Sequence, residues 1–341
     1  MNAFLSMILF FSLILIFGCS MNSDITANNA NISTISISSS PSDSENQAND
    51  KSILFSALPV GSSCIITQDS HDTWASWSPD DSLLAFISPI SGLDNLYLIK
   101  INDLKLLETK EKNIYVAEYL TTQQTRSKYY IQKTFSSSYI IDGPEWSPNG
   151  KNILLRTYDC SSTKLGCKDF KLLIYDLDSG YSKTVFKSDV NIKLYCWLDN
   201  NIILLTTEND NKKIYRLDLT SAEKELVFQH KEEIEAFTLD NGALIIGTKN
   251  LIGNFNLGTK ALEWYKLPFG FNGTRVNRYL RKIILTAPGK GGPAAGWYDL
   301  DSKATKLFLD SYDYEPSISN TKRYVAFISE GVGGIVVKRL Q

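Results

Sequence analysis

Residues 77–88 read WSPDDSLLAFIS, and residues 146–157 read WSPNGKNILLRT. A chain that writes one phrase twice is built from repeated units, and the period of the repeat decides the fold class before any single element does. Weaker copies follow. Cys196-Trp197-Leu198-Asp199-Asn200 precedes IILLTT, Phe237-Thr238-Leu239-Asp240-Asn241-Gly242 precedes ALIIGT, Asn277-Arg278-Tyr279-Leu280-Arg281-Lys282 precedes IILTAP, and Pro316-Ser317-Ile318-Ser319-Asn320 shortly precedes YVAFIS. The anchor positions are 77, 146, 197, 237, 277 and 317, so successive copies begin 69, 51, 40, 40 and 40 residues apart. A period near 40 with strand-like content predicts propeller blades.

Each copy has one internal grammar. An aromatic or apolar residue ends a first strand. Pro, Asp, Asn and Gly then supply the backbone conformations of a tight hairpin. A continuous apolar strand follows, and its lack of alternation means that both of its faces are covered. A polar loop leads to a third strand (DNLYLIKIND, DFKLLIYDLD, NKKIYRLDLT, LIGNFNLGTK, GWYDLDSK), and a Leu-Asp or Tyr-Asp ending turns the chain into a fourth (YSKTVFK, KELVFQ, LEWYKL, TKLFLD). Seventeen Tyr, sixteen Phe and six Trp suit strands. The expectation is an all-β, six-bladed propeller of four-stranded antiparallel blades over residues 52–341. The sixth copy lacks a fourth strand before Gln341, and SCIITQ at 63–68 is a strand without a blade. Pairing the two would close the ring and remove its open edges. ILFSAL at 53–58 is an extra strand that the pattern does not place. In the oversized first gap, NIYVAEYL and KYYIQKTF around TTQQTRS read as a protruding hairpin within 109–140, either a partner-binding insertion or an elongated outer pair.

The WSPD-turn-LLAF unit resembles the repeat of TolB-type propellers, the WD40-like Pro-Asp repeat that also occurs in the propellers of prolyl oligopeptidase relatives. The resemblance covers about residues 52–341. It implies a periplasmic or surface protein that binds a partner, without the N-terminal α/β domain of TolB and without room for a peptidase domain.

The first residues point to export. Residues 3–17 are apolar except for Ser6 and Ser12, and end in Ile16-Phe17-Gly18-Cys19. The run is short for a membrane span, which needs roughly 20 residues, and suits the core of a secretory signal. It resembles the bacterial lipobox, which implies cleavage after residue 18 and a lipid on Cys19. Phe17 is bulkier than that pattern prefers, and the stretch before the run carries no Lys or Arg. A plain signal or an uncleaved anchor is the alternative. Residues 19–51 are rich in Ser, Asn, Asp and Thr and hold no aromatic residue, so they read as a flexible tether. Ser20 after the lipidated cysteine would leave a Gram-negative lipoprotein free for outer-membrane sorting, but the sequence does not identify the host's envelope.

Of five cysteines, Cys160 and Cys167 bracket SSTKLG and can form a local disulfide in an oxidising compartment. A zinc site lacks a nearby CxxC or His. Cys64 and Cys196 lie in apolar, strand-like contexts and read as buried thiols.

Catalytic signals are sparse. The chain has two histidines, His71 and His230, and no GxSxG, HExxH, Walker A or GxGxxG pattern. GKGGPAAG at 289–296 lacks the GK[ST] ending and a following helix, and reads as a loop between the second and third strands of blade five. A formal net charge of −2 gives no electrostatic reason to bind nucleic acid. Residues just before each innermost strand should line the mouth of the central channel. By position these are His71, Asp72, Asp142, Glu145, Glu235, Arg275 and Glu315, a mostly acidic set that is either a solvated rim, a site for a cation or basic peptide, or paired acids. The reading is a monomeric, lipid-anchored scaffold of the cell membrane or outer membrane that binds an envelope protein or peptide without cofactor or metal. The alternative is an extracytoplasmic hydrolase or lyase working at the channel mouth.

Overall fold

The computed structural model describes residues 52–68, 72–89, 95–121, 130–133, 139–159, 167–270, 275–288, 292–308 and 313–341. Strands β1 (Ile53–Leu54) and β2 (Ser63–Ile65) come first. The first four-stranded sheet then opens with β3 (Thr73–Trp77), β4 (Leu83–Ser88) and β5 (Asn95–Lys100). The chain leaves it for β6 (Lys105–Glu108) and β7 (Ile114–Ala117), passes through a short helix, α1 (Glu118–Thr121), and returns as its fourth strand, β8 (Tyr130–Lys133).

Three further sheets follow the expected grammar closely. They are β9 (Tyr139–Trp146), β10 (Asn152–Asp159), β11 (Lys168–Asp176) and β12 (Ser182–Ser188); β13 (Ile192–Trp197), β14 (Ile202–Thr207), β15 (Lys213–Asp218) and β16 (Lys224–Gln229); and β17 (Ile234–Asp240), β18 (Ala243–Thr248), β19 (Leu251–Asn256) and β20 (Leu262–Lys266). The fifth is β21 (Asn277–Tyr279), β22 (Lys282–Pro288), β23 (Pro293–Asp299) and β24 (Thr305–Leu307). Every pairing inside these five sheets is antiparallel, between strands in sequence order. The fold is an all-β propeller with five such blades.

The last copy differs. Strands β25 (Asp313–Ile318), β26 (Tyr324–Ser329) and β27 (Gly334–Arg339) belong to a seven-stranded sheet in the order β1-β6-β7-β2-β27-β26-β25. The expectation of six like blades is corrected here to five four-stranded sheets and one of seven strands. The reason lies in the first gap. Strands β6 and β7 are not arms of a protruding hairpin with residues 130–133, because they sit in a different sheet. β7 runs parallel to β2 and antiparallel to β6, and β1 pairs with β6 at the outer edge. Leu106, Tyr115, Ala117 and Tyr119 thereby bury against Phe55, Leu58, Ile101 and Tyr324, surface that a protruding hairpin would leave in water. On the other flank β2 pairs with β27, Ser63 opposite Lys338 and Ile65 opposite Val336.

The second strands are buried almost throughout, as LLAFIS, IILLTT, ALIIGT and YVAFIS require when sheets pack face to face. First strands pack on one another in succession: β3 on β9, β9 on β13, β13 on β17, β17 on β21, β21 on β25, and β25 on β3. The tryptophans of the repeat stitch neighbours together. The indole N–H of Trp146 donates to the Ser76 carbonyl at 3.0 Å, that of Trp197 to the Glu145 carbonyl at 2.9 Å, and that of Trp77 to the Ser317 carbonyl at 3.1 Å. In the first two cases the acceptor immediately precedes the neighbour's own tryptophan.

The serine of Trp-Ser-Pro builds the hairpin. Ser78 accepts from the Leu83 amide and donates to Asp80, and Ser147 accepts from the Asn152 amide and bonds Asn149. Ser319 accepts from the Tyr324 amide in the same place. Left-handed residues close these turns: Asp81, Gly150 and Lys322, with φ of 57°, 71° and 58°.

A second set of turns joins third to fourth strands. Asp176 receives the Ser179 amide, Asp218 the Thr220 amide and hydroxyl, and Asp299 the Ser302 amide, while Asn256 does the same work for Thr259. These hydrogen bonds hold the three carboxyls below the usual aspartate range, led by the Ser179 amide, the Thr220 hydroxyl and the Ser302 amide respectively. A depressed folded pKa stabilises above the unfolded value, about 3.9, and the contribution is lost as pH falls through the folded value. Thermal stability should therefore decline below about pH 4. A triple variant with Asp176, Asp218 and Asp299 replaced by Asn, which keeps the acceptor as Asn256 does, should show a shallower acid limb in melting curves between pH 5 and 2. An unchanged limb would deny these turns a role.

Candidate functional site

The inner strands share a backbone irregularity. Trp74, Gly143 and Glu315 all take left-handed φ, at 59°, 58° and 51°, three residues before Trp77, Trp146 and Ile318. The ladder register shifts at the same level, between Thr73 and Ser76, between Leu154 and Arg156, and between Tyr314 and Ser317. Register also shifts early in β13 and β17. Bulges bend a strand and re-aim its side chains, and a Trp with positive φ is an outlier that surrounding structure must hold. At Gly143 a side chain would meet the Tyr195 hydroxyl, which donates to the Gly143 carbonyl at 2.6 Å.

The bulged layer surrounds a cavity of about 240 Å³. Its walls come from β3 (Trp74), β9 (Gly143, Glu145), β10 (Arg156), β13 (Lys193, Tyr195, Cys196), β17 (Phe237, Thr238), the approach to β21 (Arg275, Val276, Asn277) and β25 (Ser317). It therefore lies at the hub, where the first strands converge.

Arg275 dominates it. Its guanidinium pairs with Glu145 at 3.1 Å, donates to the Ala75 carbonyl at 2.5 Å and reaches the Pro144 carbonyl at 3.5 Å. A side chain from the fifth blade thus touches the first and second. It also lies 6.0 Å from the Trp74 ring centroid. Glu145 is 31% exposed and lines this recess. Desolvation pushes its carboxyl above the usual range; Arg275 opposes that shift and Glu315 adds to it. Lys193 pairs with Glu235 at 3.0 Å and approaches Glu233 at 3.9 Å. Arg156 donates to the Asn191 side chain and to the Ile192 carbonyl, at 3.1 and 2.6 Å. Burial raises the Cys196 thiol far above its ordinary value.

Of the residues expected at the mouth, the structure brings Glu145 and Arg275 together, with Glu315 buried close enough to act on Glu145. Glu235 serves Lys193. Asp72 is buried just before β3. Asp142 belongs to β9, opposite Arg156 in register, and its side chain lies outside the described residues, as does the whole of His71. Among the described residues, the cavity wall carries Arg156, Lys193 and Arg275 together with Glu145. Arg156, Lys193, Tyr195 and Asn277 were not singled out from sequence. Arg156 carried a usable signal, because a charge inside the apolar run NILLRTYD must find partners. His230 stands apart, its ring tilted against Trp264 with centroids 4.8 Å apart, and it accepts from the Glu232 amide. Among the described residues, no group of three or more His, Cys, Asp or Glu is placed to hold a metal ion.

No protein-family model matches the chain, and no curated protein matches it. Solved structures do. One is TolB from Acinetobacter baumannii, 14% identical over 78% of this chain and 62% of that one, with a TM-score of 0.44. The chain therefore spans less than two thirds of that TolB. Another is an oligogalacturonate lyase from Vibrio parahaemolyticus, 9% identical over 85% of this chain and 96% of that one, at 0.49. A chain of the mitotic checkpoint complex aligns over 94% of this chain and 100% of its own length, 10% identical, at 0.51. The likeness is one of fold.

Cys64 and Cys196 are free and buried, as expected, and Cys167 is disulfide-bonded. Its expected partner, Cys160, and the lipidation candidate, Cys19, lie outside the described residues.

Proposed function

We propose that this protein is a TolB-like propeller held at a bacterial envelope by a lipid on Cys19, and that it works by non-covalent binding of an envelope protein or peptide. Residues 1–18 are the signal, 19–51 the tether and 52–341 the propeller. In this reading the seven-stranded sheet is the sixth blade, with β2 supplying its fourth strand and closing the ring, and Cys160 is the partner of Cys167. The β2–β27 pairing and the packing of β25 on both β21 and β3 support the six-blade reading.

One observation carries the binding role: a hub recess whose ionic side chains are fixed to the frame. Arg275 is tied to two backbone carbonyls and Glu145, Lys193 to Glu235, and Tyr195 to Gly143. Groups held this way are preorganised for a ligand and cost little ordering on binding. The anchor supplies location, since each buried acyl methylene contributes about 0.8 kcal/mol and two or more chains hold firmly.

Photo-crosslinking in intact cells, from a probe at Lys193 or Thr238, should capture a discrete envelope neighbour. The mature chain should begin at Cys19 with the mass of its lipid. An unmodified Cys19 thiol would refute the anchor. Absence of any specific crosslink, with turnover of a peptide or glycan by the purified chain, would replace the scaffold with the hydrolase or lyase.

A further inference from the structure

We propose that the hub cavity is a carboxylate-binding site, in which an incoming carboxylate takes the place of Glu145 on Arg275. This rests on the binding role proposed above and names the chemistry that the recess accepts.

The argument starts from size. A cavity of about 240 Å³ has room for several waters. A helix is about 10–12 Å across with its side chains, so a folded element stays outside. A chain end or a small acid enters.

Charge comes next. Among the described residues, the wall presents Arg156, Lys193, Arg275 and Glu145. Behind it stand Glu235 and Glu233 on Lys193, and Glu315 near Glu145. The three bases line the wall where a ligand can touch. Planar guanidinium groups match carboxylates in geometry.

The exchange is built into Arg275. The Ala75 and Pro144 carbonyls hold its guanidinium independently of Glu145, so the cation stays in place when one carboxylate replaces another. Glu145 is the weak partner of the two. Burial already disfavours its charge, and Glu315 disfavours it further. A ligand carboxylate arriving beside it can leave it protonated and unpaired without opening the frame. Tyr195 and Asn277 add hydroxyl and amide groups to the same wall.

The test uses the full-length chain in detergent micelles and isothermal titration calorimetry. The probes are succinate, acetyl-Ala-Ala-Ala with a free C-terminus, and the same peptide as its C-terminal amide. A charge-assisted contact is worth about 1.5–3 kcal/mol, or roughly tenfold or more in affinity. The free acid should therefore bind about tenfold or more tightly than the amide. Succinate binding as tightly as the peptide would assign the carboxylate to a small acid; a preference for the peptide would assign it to a chain terminus. Lys193→Gln and Arg275→Ala should each weaken binding by about tenfold, and Glu145→Gln should strengthen it severalfold. That gain is a result misfolding cannot imitate. Equal binding of acid and amide, or weaker binding by Glu145→Gln, would overturn the proposal. If crosslinked partners persist in cells while calorimetry is silent, the carboxylate site falls and the scaffold stands. If the acid binds but no partner is captured, the reverse holds.

Discussion

A chain that begins at Asp72 should fail to fold, while one that begins at Ser52 should melt cooperatively. The difference is residues 52–71, which supply Phe55, Leu58, Ile65 and Ile66, each no more than 4% exposed. Full burial of such a side chain contributes about 1.5–3 kcal/mol. The four together reach about 6–12 kcal/mol, which is the size of a typical domain's whole stability, about 5–15 kcal/mol. Backbone losses add to this. The Ile335 carbonyl accepts from Ile66 and Thr67, the Ile335 amide donates to the Thr67 hydroxyl at 2.8 Å, and Tyr119 donates to the Ile66 carbonyl. Without β2, both β27 and β7 become open edges, which invite aggregation. Circular dichroism and size exclusion of the two truncations would check this. A soluble, cooperatively melting Asp72 chain would show that the N-terminal strand is dispensable. A finer probe of the same seam is Gly334→Ala. Gly334 has no left-handed φ, but an added Cβ would strike the Thr67 backbone, which cannot swing aside as a side chain can. Overpacking of that kind costs about 1–3 kcal/mol.

The sequence pointed to this seam because SCIITQ is apolar yet belongs to no repeat, and its strand pairs with β27. It announced β7 as a strand but not the sheet that β7 joins. Ile114–Ala117 pairs with β2 in parallel over three residues, and nothing local distinguishes a short apolar strand that stays in its blade from one that crosses to another. The hairpin signature of the repeat was readable for a physical reason: Ser78, Ser147 and Ser319 must each cap the same turn, so the turn residues persist where the rest drifts. The cavity follows no such rule. Lys193 alternates with buried neighbours in IKLYCW as any half-exposed strand residue would, and its distinction comes only from Glu235, forty-two positions on. Arg275 matters because it spans the hub to Ala75, two hundred positions away. Pairings of that range are set by the ring, and no window of sequence contains them. Position along a strand identified which residues approach the mouth, and the bulges at Trp74, Gly143 and Glu315 bend the strands that carry them.

Replacing Trp146 with Ala should cost about 3–5 kcal/mol, as for other buried aromatic deletions. Its ring packs with Ala85, Ile87, Leu96 and Leu98 of the first blade as well as Ile153, Leu155 and Tyr175 of its own. It therefore carries blade-to-blade cohesion that no hydrogen-bonded ladder supplies. In a domain of this length each kcal/mol moves the midpoint by about 2–4 °C, so the melting temperature should fall by about 6–20 °C. Trp146→Phe separates packing from hydrogen bonding. It keeps most of the apolar contact but leaves the Ser76 carbonyl without its indole donor, a loss of about 1–3 kcal/mol. Because Trp77 and Trp197 donate to neighbouring inner strands in the same way, their Phe variants should cost similar amounts. The fourth copy gives the contrast. Its anchor, Phe237, is buried but has no N–H to donate, so Phe237→Leu should cost less than about 1.5 kcal/mol. In the fifth copy Asn277 takes over the polar half of the task, donating to the Pro316 carbonyl at 2.9 Å from a much smaller side chain. Copies of the repeat thus weaken in sequence where packing or hydrogen bonding is met by another residue. If the three Trp→Phe variants melt with the parent while Phe237→Leu does not, the indole–carbonyl bond contributes nothing and apolar contact alone joins the blades.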